Sequence, residues 1–134
     1  MARVRDYMQT NFQYIGETAP LLDALEMMGK HQFTHLVILR GGVQIAGIIT
    51  RSDIISLYNT ILLKDGIVRD VVGNQTLIAV MRQDYMEDAR SKFEHAPHVD
   101  QLVVLELLTP VGVLTKDDML RWIYEQEFPN PVVG

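Results

Sequence analysis

The stretch Gly47-Ile48-Ile49-Thr50-Arg51-Ser52-Asp53-Ile54 returns 65 positions later as Gly112-Val113-Leu114-Thr115-Lys116-Asp117-Asp118-Met119. Both copies follow the pattern Gly-x-x-Thr-x-x-Asp, in which apolar residues precede the threonine. Upstream, Val4-Arg5-Asp6 matches Val68-Arg69-Asp70. A repeat of this length indicates that one supersecondary unit occurs twice in the chain.

The residues around each copy predict the same order of elements, because short apolar runs alternate with stretches of helical apolar periodicity. The first repeat predicts strands at 12–15, 36–39 and 46–49, and helices at 20–30 and 52–63. The second predicts strands at 76–80, 102–105 and 111–114, and helices at 84–94 and 117–127. Hairpin turns are expected at Arg40-Gly41-Gly42 and at Thr109-Pro110.

The predicted fold class is α/β (α+β), with two β-α-β-β-α repeats at 1–63 and 64–128. Each repeat is marginal in size for an independent fold, which favours packing of one against the other. Pro129-Asn130-Pro131 cannot continue a helix, so residues 129–134 are expected to form an extended tail.

Composition narrows the classes of function. The 134 residues are 48% hydrophobic and 22% charged, as in folded globular proteins. No apolar run is long enough to span a bilayer and the first residues do not resemble a secretory signal, so we expect a cytoplasmic protein without membrane contact. The formal net charge of −5 argues against nucleic acid as a partner.

The repeated Thr-x-x-Asp has two interpretations at the point where a strand runs into a helix. A threonine followed three residues later by an acid is typical of a capping box, which satisfies the first N–H groups of a helix. The same carboxylate would suit a ligand hydroxyl, and a helix N-terminus suits a phosphate. A single copy favours the cap, whereas duplication within matching units favours a ligand site.

The duplicated Gly-x-x-Thr-[Arg/Lys]-x-Asp within β-α-β-β-α units resembles the cystathionine-β-synthase (CBS) domain, over residues 4 to 127. The resemblance implies a tandem pair, or Bateman module, in which two repeats pack with pseudo-twofold symmetry around two clefts. AMP, ADP, ATP or S-adenosyl compounds bind in such clefts, and no cofactor is required. In that family the motif Asp holds the ribose, the Thr or Ser approaches phosphate, and a strand of the other repeat packs on adenine.

Carried over by position, the resemblance predicts two unequal nucleotide sites. The first consists of Asp53 for ribose, Thr50, Ser52, Thr34 and His35 near phosphate, and Gly73, Ile78 and Ala79 beside adenine. The second consists of Asp118 and Thr115, with Met8, Gln13 and Tyr14 on the adenine side. The second is expected to be weaker, because Asp117 and Asp100 would lie near its phosphate.

The first function hypothesis is therefore a regulatory module whose nucleotide-bound and empty states are read by an effector protein. The alternative is a dimerisation or interaction scaffold of the same fold that has lost its ligand. No catalytic or metal-binding pattern stands out, so we expect neither an enzyme nor a metal site. The resemblance also implies a homodimer, for which apolar residues on the repeats' last helices are candidates: Leu57, Ile61, Trp122 and Ile123.

Overall fold

The chain divides into two compact units, which a computed structural model describes over residues 1–72 and 75–129. The continuous unit comprises Asn11–Leu77. The two-segment unit combines Met1–Thr10 with Ile78–Gly134. The predicted fold class is confirmed, since each unit contains one three-stranded sheet together with helices.

The continuous unit begins with a strand, a helix and a hairpin. These are β1 (Phe12–Gly16), α1 (Leu21–Gly29), β2 (His35–Arg40) and β3 (Gln44–Thr50), followed by the short helices α2 (Arg51–Ser56), α3 (Ile61–Asp65) and α4 (Val68–Val72). β1 is parallel to β2, and β2 is antiparallel to β3. The hairpin turns through Gly41 and Gly42 at φ values of 62° and 79°, which glycine adopts without strain.

The two-segment unit repeats this arrangement. It contains a 3₁₀ helix (Val4–Asp6), β4 (Ala79–Met81), α5 (Met86–His95), β5 (Gln101–Glu106), β6 (Thr109–Thr115) and α6 (Lys116–Glu127). β4 is parallel to β5, and β5 is antiparallel to β6. The sheet order β4-β5-β6 therefore matches β1-β2-β3.

Each unit has its own apolar core between sheet and helices. In the continuous unit, Leu21 and Ala24 of α1 are completely buried against strand residues such as Leu36. In the two-segment unit, Met86 and Ala89 of α5 take the same role. The helical spacing of apolar residues in the sequence thus marks the faces that are buried.

The valine near the start of each repeat is buried in the core formed by the other repeat. Val4, at the start of the chain, is buried in the core formed by residues 78 to 122. Val68 is buried in the core of the continuous unit. Each Val-Arg-Asp segment therefore packs on the repeat other than the one it begins.

Three predicted elements need correction. The helix predicted at 52–63 is two helices, α2 and α3, because Asn59 adopts a left-handed φ of 66° and Thr60 caps a new helix. The turn predicted at Thr109-Pro110 instead lies at residues 107–108, and both Thr109 and Pro110 belong to β6. Pro110 is tolerated there because β6 is an edge strand, where a missing N–H costs least.

The strand predicted at 76–80 is shorter and shifted, since β4 spans Ala79–Met81. Of the tail predicted at 129–134, residues 130–134 lie outside the described part of the chain. Among the described residues, no helix has the length and apolarity needed to cross a membrane.

Candidate functional site

The first Thr-x-x-Asp motif joins β3 to α2 and forms a capping box. The Thr50 N–H donates to Asp53 Oδ2 at 2.8 Å, and the Thr50 hydroxyl donates to the same oxygen at 3.1 Å. In return, the Asp53 N–H donates to Thr50 Oγ1 at 3.4 Å. The cap therefore uses one oxygen of the Asp53 carboxylate.

The second motif joins β6 to α6 with the same geometry. The Thr115 N–H and hydroxyl both donate to Asp118 Oδ2 at 2.9 Å, and the Asp118 N–H donates to Thr115 Oγ1 at 3.1 Å. The capping interpretation of both motifs is thus confirmed. In each repeat the other carboxylate oxygen, Oδ1, lies outside the cap.

The two Oδ1 atoms differ in their surroundings. Asp118 Oδ1 accepts a 2.6 Å hydrogen bond from the Gln9 side-chain amide, and Asp118 is 3% exposed. Asp53 is only half-buried, and its Oδ1 accepts no hydrogen bond from residues 1–72 or 75–129. Asp53 therefore has an open carboxylate oxygen, whereas Asp118 is already occupied by a side chain of its own unit.

Several predicted phosphate-side residues lie together in the continuous unit. His35 is paired across the sheet with Thr50. The Thr34 hydroxyl donates to the Asn11 carbonyl oxygen at 2.8 Å and lies 3.0 Å from His35 Nδ1. Because its single proton is held by Asn11, the Thr34 oxygen acts as the acceptor toward His35, which places a proton on Nδ1.

The hydroxyls of these residues are not equally available to an anion. The protons of Thr50 and Thr34 are both committed within the unit, to Asp53 and to Asn11. Ser52 is exposed, and no hydrogen bond joins its hydroxyl to the described residues. Ser52 is thus the hydroxyl that can donate to a phosphate without first breaking a bond.

Of the two acids predicted near the phosphate of the second site, Asp100 is paired with a lysine. Lys116 Nζ lies 3.5 Å from Asp100 Oδ1 and also donates to the Pro97 carbonyl at 2.6 Å. Both ion-pair partners are exposed, so the pair itself contributes little to stability. Asp117 forms no ion pair with the residues that the structure describes, and the charge argument against this motif now rests on Asp117.

The remaining predicted site residues are distributed between the units. Ile78 and Ala79 lie in the two-segment unit, where Lys92 Nζ donates to the Ala79 carbonyl at 2.6 Å. Met8 lies in the same unit, whereas Gln13 and Tyr14 belong to β1 of the continuous unit. Gly73 lies outside the described residues. The two nucleotide sites as complete sets therefore stay predictions.

Gln9 is the residue that sequence reasoning missed. It lies outside both motifs and 109 positions before Asp118. No local pattern in the sequence signals this contact. Within the described part of the chain, no cluster of three or more potential metal ligands is present.

The CBS domain family model matches residues 4–59 of this chain. No curated protein sequence matches significantly. Among solved structures, CBSX2 in complex with AMP is 21% identical, with a TM-score of 0.67 over 95% of this chain and 99% of that one. An uncharacterized conserved protein from Pyrococcus horikoshii is 19% identical, with a TM-score of 0.68 over 91% of this chain and 92% of that one.

The CBS domain pair of protein MJ0100, in complex with 5′-methylthioadenosine and S-adenosyl-L-methionine, is 18% identical. Its TM-score is 0.69, and the match covers 94% of this chain and 98% of that one. At these identities the likeness shows the fold. It extends over both units of the chain.

Proposed function

We propose that the chain is a regulatory module that senses an adenosine nucleotide. This proposal is supported by the match of residues 4–59 to the CBS domain model and by the fold that both units share with CBS domain pairs. The observation that carries this proposal is the Asp53 carboxylate. It stands at a strand-to-helix junction with Oδ2 held in the cap and Oδ1 open. A fixed carboxylate with an open oxygen is suited to accept a hydrogen bond from a ribose hydroxyl.

The neighbours of Asp53 support a phosphate group on the same ligand. The Ser52 hydroxyl is exposed next to the motif, and His35 lies on the adjacent strand opposite Thr50. A phosphate beside His35 would favour its cationic form, which adds attraction. Thr34 and Thr50 then act indirectly, because Thr34 orients His35 and Thr50 orients Asp53.

The base of the ligand is proposed to be adenine. The fold relatives CBSX2 and MJ0100 were solved with AMP and with S-adenosyl compounds, which makes AMP, ADP, ATP and S-adenosyl-L-methionine the candidate ligands. Ile78 and Ala79, together with Gly73, are the proposed adenine side and are apolar or small. They offer no carboxylate for the donor edge of guanine, so AMP is expected to bind more tightly than GMP.

The proposed module acts without catalysis and transmits its ligand state to an effector protein, as a homodimer. Support for self-association comes from exposed apolar side chains on α6, of which Leu120 and Tyr124 are 65% and 60% exposed. The alternative is a scaffold of the same fold without a ligand. The commitment of the Thr50 and Thr34 protons within the continuous unit favours that alternative.

Calorimetric titration of AMP into three proteins tests the proposal: the wild type, Asp53→Ala and Asp118→Ala. Both variants remove the acid of a capping box, so each controls for the other's loss of helix capping. We expect binding to be lost in Asp53→Ala and retained in Asp118→Ala. Equal affinity of Asp53→Ala and wild type would refute the role of Asp53.

A thermal-shift series with AMP, ADP, ATP and S-adenosyl-L-methionine separates sensor from scaffold. A ligand that binds only the folded state at 100 times its Kd stabilises that state by about 2.7 kcal/mol. The absence of a shift with every candidate would support the scaffold alternative.

A further inference from the structure

The Gln9 side chain occupies in the two-segment unit a position that no side chain of the described residues 11–72 and 75–77 takes beside Asp53 in the continuous unit. Its Nε2 donates to Asp118 Oδ1 at 2.6 Å, on the carboxylate oxygen that the cap leaves unused. An amide N–H directed at a carboxylate oxygen imitates the O–H of a ribose. We infer that Gln9 acts as an internal substitute for a ligand hydroxyl and closes the Asp118 motif, an inference that rests on the proposed function.

The main chain of Gln9 explains why its side chain reaches this point. Gln9 forms a two-way backbone bridge with Val113 of β6, with N–O distances of 2.7 and 2.9 Å. Val113 lies two residues before Thr115, so the bridge fixes the Gln9 backbone close to the end of β6. The bridge uses only main-chain atoms of Gln9, and its side chain extends to Asp118 in the first turn of α6.

The corresponding glutamine in the continuous unit is used differently. Gln75 contacts Ile48, which occupies the repeat position of Val113, but it does so through its side chain. Ile48 N–H donates to Gln75 Oε1 at 2.7 Å, and Gln75 Nε2 donates to the Ile48 carbonyl at 3.2 Å. The Gln75 amide thus bonds to the strand through both its oxygen and its nitrogen, and among the described residues it makes no hydrogen bond to Asp53 Oδ1.

The difference follows from the length of the connecting segment. Gln9 follows Val4 by five residues, whereas Gln75 follows Val68 by seven. Both valines are buried anchors. The shorter segment places its glutamine backbone on the strand edge, whereas in the longer one the described hydrogen bonds to Ile48 are made by the glutamine side chain. This difference predicts one working nucleotide motif per chain.

The burial of Asp118 makes its carboxylate still less accessible to a ligand. Asp118 is 3% exposed, so a ribose hydroxyl has no open surface of this carboxylate to approach while Gln9 is in place. A ligand would have to displace a hydrogen bond to a charged group, which corresponds to at least about a tenfold loss of affinity. Removal of the Gln9 amide should therefore expose a second site.

The test is the number of AMP molecules bound per chain, measured by calorimetry and by equilibrium dialysis. We expect one for wild type, two for Gln9→Ala, and one again for Gln9→Ala/Asp118→Ala. Gln9→Asn keeps an amide but shortens it by one methylene, so it should also gain a site. It serves as the second variant should Gln9→Ala fold poorly. Gln126→Ala, on the exposed side of α6, is the matched control and should bind one AMP.

The outcomes separate this inference from the proposed function. If the wild type and both Gln9 variants each bind one AMP per chain, the closure is overturned and the Asp53 site stands. Two AMP molecules bound per wild-type chain would also overturn the closure. No binding in wild type but one site in Gln9→Ala that depends on Asp118 supports the closure and refutes the Asp53 site. No binding by any protein overturns both.

Discussion

The Gln9 backbone passes directly over Gly112, the first residue of the second Gly-x-x-Thr motif. A Cβ added at Gly112 would lie 2.9 Å from the Gln9 carbonyl oxygen and 2.9 Å from Met8 Sδ. Methionine sulfur can move aside, but a backbone oxygen held by a bridge to Val113 cannot. Close approach of the chain thus requires glycine at this position of the motif.

Gly112→Ala is therefore expected to destabilise the protein by about 1–3 kcal/mol, through overpacking against the Gln9 backbone. Chemical denaturation measures the loss. Gly29→Ala is the control, since nothing lies within 4 Å of the added Cβ and Gly29 is helical. That substitution should be neutral or stabilise by up to about 1 kcal/mol. Equal effects of the two substitutions would contradict the crowding at Gly112.

The repeat, the order of elements along the chain and both helix caps could be predicted, because the apolar periodicity and the Thr-x-x-Asp spacing are local signals. The break at Asn59 was missed because residues 52–63 contain neither glycine nor proline. Its local signal was Asn59, a residue type that tolerates the left-handed conformation, followed by the N-cap type Thr60. The second hairpin was misplaced because its turn also lacks glycine and proline. Its turn uses Leu107, at a φ of 56°, while the better turn residues Thr109 and Pro110 are in the strand.

Only those features of the candidate site that depend on residues close together in the sequence could be predicted. Cap geometry depends on residues three apart, so Thr50 with Asp53 and Thr115 with Asp118 follow from the motif. The inequality of the two carboxylates depends instead on Gln9, which chain topology brings from 109 residues away. The charge argument from Asp117 stays a prediction, and as a local argument it could not include this contact.

Tyr7 gives a prediction of pH dependence. Its hydroxyl donates to Glu125 Oε2, and this hydrogen bond, followed by burial, raises the pKa of Tyr7 from 10.0 to about 12. Arg121 lies over the ring at 5.0 Å and holds the same segment. Because the folded-state pKa is above the unfolded value, the contribution to stability is complete below pH 10 and is lost as the pH rises to about 12.

Phenolate absorbance of the folded protein as a function of pH measures this pKa. The wild type should show one tyrosine that ionises near pH 12, which Tyr7→Phe removes. Glu125→Gln should shift that component to lower pH, since the carboxylate is both the acceptor and a like charge for the phenolate. Superimposable curves for the wild type and Glu125→Gln would contradict the assignment.

The exposed face of α6 predicts where a homodimer would form. Leu120, Tyr124 and Phe128 are four residues apart and at least 60% exposed, and the last two rings stack at 5.0 Å. Trp122 was a candidate for this contact, but it is 4% exposed and belongs to the core. Exposed apolar stripes of this kind favour association with another chain.

Leu120→Glu should therefore convert the dimer to a monomer, because it places a charge in an apolar contact. Light scattering should return twice 15.3 kDa for the wild type and 15.3 kDa for the variant. Leu108→Glu, at a hairpin residue that is 89% exposed, is the control and should remain dimeric. A wild-type mass of one chain at high protein concentration would exclude the dimer.

The two motif acids are also expected to differ in what they contribute to stability. Each is the N3 acid of a capping box, and loss of its hydrogen bond to the N-cap N–H costs about 1 kcal/mol. Asp118 also accepts the Gln9 hydrogen bond in a buried position, so Asp118→Ala leaves a half-buried amide without its acceptor. We expect Asp118→Ala to lower the free energy of unfolding by about 1–3 kcal/mol more than Asp53→Ala does.

A double-mutant cycle isolates the contact that makes this difference. The unfolding free energies of the wild type, Gln9→Ala, Asp118→Ala and the double variant should give a coupling of about 1 kcal/mol or more between the two residues. The cycle of Gln75→Ala with Asp53→Ala is the matched control. It should give a coupling near zero, because the Gln75 amide bonds to Ile48 and not to Asp53. Since neither cycle requires a ligand, strong coupling in the first and none in the second would establish the asymmetry of the repeats independently of any nucleotide.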